Sequence, residues 1–224
     1  MDAKELRRIA RENLAGNWAL SVGVALVAGL LGALLTSSGG FNFEISEDMM
    51  QRLPESVITL LKIFIAGAGA LSLAQFIIGG TVQLGYGQYL LKQYNRANFE
   101  FKDLFSQFDH FGQGFAQAFL RGLYTALWSL LFVIPGIIKS LSYAMTPFIM
   151  AENPDMTASE AINASKELMD GHKGELFWLG LTFIGWNLLS ALTLGIGSLF
   201  VNPYMNAAYA AFYKDLTGST AAVE

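Results

Sequence analysis

Long apolar runs separated by short polar segments are the main pattern along this 224-residue chain. The runs Trp18–Thr36 and Leu176–Tyr213 contain no charged residue, and Val57–Leu91 and Gly122–Met150 contain one lysine each. A helix needs about 20 mostly apolar residues to cross the roughly 30 Å of hydrocarbon in a bilayer. The pattern therefore predicts an all-α, polytopic membrane helix bundle.

Helix-breaking residues divide these runs into predicted spans. Pro135 and Gly136 predict a turn after the third span, and residues 193–197, with two glycines, predict another within the last run. A break at Asn202–Pro203 is the alternative in the last run, and five spans is the alternative count. We expect a single transmembrane domain over residues 1–224, with six spans at about 18–36, 57–79, 115–134, 137–150, 176–192 and 198–213.

The basic residues lie mainly on one side of this predicted topology. Eleven of the 14 lysines and arginines, Arg121 among them, fall on the side that holds both chain ends. Because cytoplasmic loops carry an excess of lysine and arginine, we expect both termini in the cytoplasm. Acidic residues are mixed with the basic ones before Trp18, so we expect the first run to be retained rather than removed as a signal peptide.

Three cytoplasmic segments show helical periodicity and predict amphipathic helices. The first has apolar residues at helical spacing, the second, Phe101–Phe111, has an aromatic stripe, and the third opens with a capping box at Thr157 and Glu160. The apolar positions of the first segment are Leu6, Ile9, Ala10 and Leu14.

The first and third segments also share a spacing. Glu5, Glu12 and Gly16 are separated as Glu160, Glu167 and Gly171 are. This likeness favours three repeated units, each an interfacial helix followed by a two-span hairpin. The alternative is coincidence, because connectors beside a bilayer are commonly amphipathic.

Polar residues inside the apolar runs are the candidate ligand-binding groups. Lys139 and Tyr143 would share a helix face with Pro147, and a free carbonyl beside that proline would favour a bound polar group. The alternative is that Lys139 extends to the headgroups. Gln83 and Asn187 are further candidates, and hydrogen bonds between helices are the alternative role for both.

Several classes of site are disfavoured by composition. The chain has no cysteine, and its two histidines have no partner at metal-ligand spacing, so we expect no metal and no cofactor. A formal charge of -4 without a long basic tract argues against nucleic acid as a partner. The spans contain no convincing nucleophile and base, so we assign no catalytic residue and expect a protein that is not an enzyme.

Motifs in the C-terminal half carry a family resemblance. They are Ile134–Lys139 with Tyr143, Ala151–Asp155, Ser159–Ile162, Glu167–Met169, Gly171–Lys173, Glu175–Phe177, Phe183–Trp186, Leu192–Gly197, Pro203–Tyr204 and Phe212–Tyr213. Together they resemble the bacterial integral membrane family catalogued as domain of unknown function 975. The resemblance implies a multi-pass protein of the bacterial plasma membrane and transfers no site residues.

Two classes of function remain open at this stage. The first is binding or transport of a lipid-like or small amphipathic ligand, with membrane lipids as partners. The alternative is a regulatory or assembly subunit that contacts another membrane protein, because ion-coupled transporters usually carry acidic residues within their spans and these spans carry none. An intramembrane enzyme ranks third.

Overall fold

The computed structural model describes residues 2–32, 55–131, 133–193 and 195–218, with side chains for all of these except 56–58, 60–70, 131 and 133. Every regular element in these ranges is helical, which confirms the all-α prediction. The α-helices are α1 (Ala3–Leu14), α2 (Trp18–Leu30), α3 (Glu55–Tyr94), α4 (Phe111–Leu131), α5 (Val133–Ser142), α6 (Thr146–Glu152), α7 (Ala158–Leu168), α8 (Lys173–Leu181), α9 (Ile184–Leu192) and α10 (Ser198–Leu216).

The N-terminal helix α1 buries one face inside the protein. The residues predicted to form its apolar face are all buried, namely Leu6, Ile9, Ala10 and Leu14. This face packs mainly against α10, from the opposite end of the chain. The chain turns after α1 at Gly16, whose φ of +80° is open to glycine at little cost. The axis of α2 is inclined to that of α1 by 102°.

The predicted capping box at the start of α7 is confirmed. The Thr157 side chain accepts a hydrogen bond from the Glu160 N–H at 3.4 Å, and the Thr157 N–H donates to the Glu160 carboxylate at 2.9 Å. The turn after α7 contains Gly171 with a φ of +82°, the same conformation as Gly16 after α1.

Glycines on the long helix α3 let its neighbours approach its backbone. A Cβ atom at Gly80 would lie 2.2 Å from the carbonyl oxygen of Gly114 in α4. A Cβ atom at Gly85 would lie 2.0 Å from the carbonyl oxygen of Leu104. Neither position has room for a larger residue, so α4 and the segment before it rest directly on α3.

The aromatic segment before α4 is not the α-helix that its periodicity predicts. It forms two short 3-10 helices, Phe101–Phe105 and Phe108–His110. Side chains take up backbone groups that an α-helix would use: Asp103 accepts from the Glu100 N–H at 2.8 Å, and the Ser106 hydroxyl donates to the Asp103 carbonyl at 2.7 Å. Leu104 is buried, whereas four phenylalanines are exposed, namely Phe101, Phe105, Phe108 and Phe111.

Helices α4 and α5 form an antiparallel hairpin. The Lys139 ammonium lies 4.7 Å from the ring centre of Trp128, and the rings of Tyr143 and Tyr124 are 6.2 Å apart. Pro135 lies in the first turn of α5, a position where its missing N–H costs no hydrogen bond within the helix. The predicted break at Pro135–Gly136 therefore lies inside α5, because α4 ends at Leu131 and α5 begins at Val133.

The predicted span over residues 137–150 is divided between two helices. α5 ends at Ser142, and Pro147 lies at the start of α6, so Lys139, Tyr143 and Pro147 do not share a helix face. The Tyr143 carbonyl is not free either, because it accepts a hydrogen bond from the Thr146 N–H at 3.3 Å. The proline ring is accommodated by starting a new helix.

The last apolar run is divided where the glycines predict. Gly195 has a φ of +85°, and a Cβ atom at Gly197 would lie 2.9 Å from Cα of Ser190. The alternative break at Asn202–Pro203 is wrong, because α10 continues through Pro203 to Leu216.

One helical stretch of the described residues, Lys173–Leu192, is long and apolar enough to cross a membrane; the strongly bent pair α1 and α2 would add a second if it counted as one span. This finding is weak support for a membrane protein, and it does not establish the six predicted spans. The end of the first span and the acidic segment that follows it, with Glu44, Glu47 and Asp48, lie outside the described residues.

Candidate functional site

A cavity of about 900 Å³ lies between the helices. Its walls come from α3, α4, α5, α6, α8, the start of α9, and α10, and most of its lining is apolar. A volume of this size falls within the range of small-molecule sites. The apolar side chains on its walls include Phe76, Leu90, Leu141, Met145, Phe148, Leu176, Phe177, Leu181 and Ile184.

A polar cluster forms one part of the wall. The Arg121 Nη2 donates a hydrogen bond of 2.8 Å to Oε1 of Gln83, so α4 and α3 are joined at this point. Gln117, one turn before Arg121, points its Nε2 toward the same oxygen at 3.4 Å and toward the Gly80 carbonyl at 3.4 Å. Oε1 of Gln83 therefore accepts hydrogen bonds from both the Gln117 amide and the Arg121 guanidinium.

The close crossing of α3 and α4 positions this cluster. Gly80 lies against Gly114 and Ala118, so the two backbones approach closely just before the polar side chains. Residues 117 and 121 are four apart and share one face of α4. They reach Gln83 because that face is the one held against α3.

The polar wall continues along α4. Thr125 and Ser129 follow Arg121 at intervals of four residues, and all three line the cavity. This spacing places their side chains in a row along the helix. The cavity is therefore amphipathic, with a polar strip on α4 and apolar side chains on most other surfaces.

A second polar group comes from α3. Tyr86 lines the cavity and is 3% exposed, and its hydroxyl has no hydrogen-bond partner among the described residues. Its ring stacks on Tyr89 at 6.3 Å between centroids. The Tyr89 hydroxyl in turn lies 3.1 Å from the hydroxyl of Ser21 on α2. Tyr86 is therefore held in place while its own hydroxyl stays available.

The four residues predicted as ligand-binding groups do not come together. Gln83 lines the cavity, whereas Lys139 lies over the ring of Trp128 on the α4–α5 hairpin. Tyr143 is buried beside Tyr124, and Asn187 is exposed on α9. None of these last three lines the cavity.

The residue that sequence reasoning missed is Arg121. Arg121 lies inside the predicted span 115–134. This position is easily overlooked when Arg121 is counted with the cytoplasmic charges and the apolar run is taken to start at Gly122. An ionisable residue within a span is itself a signal of function. Applying this rule to every residue of the predicted span 115–134 would have identified Arg121 as a candidate site residue.

Within the described part of the chain, no group of three or more histidine, cysteine, aspartate or glutamate side chains is placed to hold a metal ion. The polar groups around the cavity suit hydrogen bonding and charge pairing. The apolar walls of the cavity suit contact with a hydrocarbon chain.

The fold and the cavity define the class: an all-α protein with an amphipathic cavity between its helices. Residues 130–220 match the family model described as a protein of unknown function, DUF975. The predicted resemblance to this family is thus confirmed, over a segment that runs from the end of α4 through α10. Comparisons with curated proteins and with solved structures gave no match.

Proposed function

We propose that this protein is a multi-pass protein of the bacterial plasma membrane that binds a lipid-like or small amphipathic ligand in the cavity, without catalysing a reaction on it. The observation that carries the proposal is the cavity itself. It joins a polar cluster at Gln83 and Arg121 to a mostly apolar lining. A ligand with a polar end and a hydrocarbon part matches both surfaces.

Exposed apolar side chains support placement in a bilayer. In water, a large apolar surface is unfavourable unless another molecule covers it, and bilayer hydrocarbon would cover this one. Strongly exposed side chains of this kind lie on several helices, and they include Leu30 on α2, Leu73 on α3, Leu130 on α4, Ile134 on α5, Trp178 on α8 and Leu192 on α9. In the proposed arrangement six spans cross the membrane and both termini are cytoplasmic.

Matching helix starts support the proposed three-unit repeat. Asp2, Glu100 and Thr157 are the N-cap residues of α1, of the first 3-10 helix and of α7. Each is followed three residues later by an acidic residue and then by a buried one, the latter being Leu6, Leu104 and Ala161. Internal repeats are a common way to build membrane transport folds.

Cysteine labelling tests the membrane arrangement. Because the chain has no cysteine, a single exposed cysteine reports its own side of the membrane. With a membrane-impermeant maleimide, Ile196→Cys should be labelled in intact cells, and Asp155→Cys only after permeabilisation. Equal labelling of both variants in intact cells would contradict the proposed topology.

A cavity-filling substitution tests ligand binding. Ala126 lines the cavity, and Ala97 is exposed after the end of α3. Native mass spectrometry of the full chain, extracted from membranes, should show a bound amphiphile in the wild type and in Ala97→Trp but not in Ala126→Trp. Retention by Ala126→Trp would contradict the proposal. Recovery of a second polypeptide at fixed stoichiometry, with no amphiphile, would replace it by the assembly-subunit alternative.

A further inference from the structure

We infer that the ligand of the cavity is an anionic amphiphile, whose acidic headgroup binds Arg121 and whose hydrocarbon chain lies along the apolar walls. This inference rests on the proposed function. It adds the sign of the ligand's charge and the residue that binds the charged group. A carboxylate or a phosphate headgroup would satisfy the same chemistry.

Charge is the first argument. Arg121 is the only lysine, arginine, aspartate or glutamate among the described residues that line the cavity. A fixed positive charge in an apolar enclosure attracts anions strongly and disfavours cations, because little water is present to screen it. A cationic or zwitterionic ligand would place its own positive charge near this arginine.

Geometry is the second argument. The 2.8 Å hydrogen bond to Gln83 holds the guanidinium at the cavity wall. A planar guanidinium with several N–H donors matches the oxygens of a carboxylate or phosphate. The arginine is therefore oriented before a ligand arrives, which lowers the entropic cost of binding.

A buried hydroxyl without a partner is the third argument. Tyr86 is three residues after Gln83 on α3, so the two side chains are neighbours on the helix surface. Its hydroxyl is buried and has no hydrogen-bond partner among the described residues. A buried donor in this state costs free energy, and an acidic headgroup at Arg121 would supply an acceptor.

The position of Arg121 along its helix sets the orientation of the ligand. Arg121 lies ten residues after the start of α4 at Phe111, or about 15 Å along the axis. Arg121 is thus the middle residue of this 21-residue helix, so the headgroup would lie near the mid-depth of α4. Phe76, about two turns before Gln83 on α3, extends the apolar wall away from the headgroup.

Three dodecyl photoprobes test the inference. Each carries a diazirine at the end of its chain, and they differ only in the headgroup: phosphate, maltoside or trimethylammonium. The full-length protein is reconstituted in phosphatidylcholine nanodiscs, irradiated with each probe, and the labelled residues are identified by mass spectrometry. The variants are Arg121→Gln, Arg121→Lys and, as a matched exposed arginine on α1, Arg11→Gln.

We expect the phosphate probe to label the cavity residues of the wild type more strongly than the trimethylammonium probe does. Arg121→Gln should reduce labelling by the phosphate probe at least about tenfold, as for loss of a charge-assisted hydrogen bond. Arg121→Lys should retain part of the labelling, and Arg11→Gln should leave it unchanged. Equal labelling of all variants by the maltoside probe shows that the cavity is still folded.

Other outcomes overturn the inference in distinguishable ways. Unchanged phosphate-probe labelling in Arg121→Gln, or equal labelling of the wild type by the cationic probe, would refute the anionic headgroup while leaving the proposed function intact. Full displacement of the phosphate probe by inorganic phosphate would show that the site takes a small anion instead of an amphiphile. If no probe labels the cavity, the proposed function itself fails.

Discussion

Gln83 and Arg121 are joined by a hydrogen bond of 2.8 Å across the interface between α3 and α4. The glutamine supplies a neutral acceptor, so it orients the guanidinium without cancelling its charge. A glutamate at the same position would reach the same atoms and form an ion pair. The choice of amide over carboxylate thus matters for what the cavity can bind.

Gln83→Glu should therefore weaken binding of dodecyl phosphate by at least about tenfold, because the new carboxylate repels the headgroup and pairs with Arg121. Binding of dodecyl maltoside should change little. Gln88→Glu is the matched control, because Gln88 is on the same helix but accepts hydrogen bonds from Ser106 and Gln107 outside the cavity. Calorimetric titration of the reconstituted variants measures the difference, and wild-type affinity in Gln83→Glu would contradict this assignment.

Gly85→Ala should destabilise the protein. The added Cβ atom would meet the backbone of Leu104 at 2.0 Å, and backbone cannot move aside as a flexible side chain does. Overpacking of this kind costs roughly 1–3 kcal/mol or more. Thermal unfolding in detergent should show a lower midpoint for this variant.

Gly112→Ala is the control for that substitution. No atom of another described element lies within 4 Å of the position its Cβ would take, and the residue is in the first turn of α4. Alanine favours a helix over glycine, so the unfolding midpoint should stay the same or rise. A fall equal to that of Gly85→Ala would show that crowding against Leu104 is not the cause.

The capping box of α7 should make part of the stability depend on pH. The hydrogen bond from the Thr157 side chain, with a further one from its backbone N–H, holds the pKa of the Glu160 carboxyl below its ordinary value of 4.5. A carboxyl whose pKa is lower in the folded state adds stability above its unfolded pKa and loses it as pH falls through the folded pKa. The wild type should thus lose stability below about pH 4.5.

Glu160→Gln isolates that contribution. Its midpoint of unfolding should lie below that of the wild type at pH 7, and the difference should shrink as the pH falls below about 4.5. Glu167→Gln, an exposed change on the same helix, serves as the control. A constant difference between Glu160→Gln and the wild type at every pH would count against the capping mechanism.

Lys214 should be important for stability because it is buried and paired. It is 5% exposed and forms an ion pair with Glu152, which also accepts a hydrogen bond from Tyr213 at 2.7 Å. Glu152→Gln would leave a buried ammonium without its counter-charge and should cost roughly 2 kcal/mol of unfolding free energy. Lys102→Gln, which removes the exposed pair with Glu100, should have no measurable effect on urea unfolding. Equal effects of the two changes would contradict the assigned role of burial.

Local features were predictable where a few adjacent residues determine the backbone. Thr157 and Glu160 form the predicted capping box, and Gly195 marks the predicted turn in the last run. The buried face of α1 was also predictable, because one apolar stripe at helical spacing has a single way to be buried. The aromatic segment was predicted to be an α-helix and is not one, because Asp103 and Ser106 form hydrogen bonds with its backbone and favour 3-10 turns.

The sequence alone predicts the helical fold class, several helix starts and turns, and the resemblance to the DUF975 family. These properties depend on neighbours along the chain, which periodicity, glycine and proline reveal. Three relations are visible only in the folded protein: Gln83 contacts Arg121, Lys139 lies against Trp128, and Tyr86 faces a cavity. Those relations depend on which face of each helix meets which neighbour, and the close approach of Gly80 to Gly114 sets that for α3 and α4.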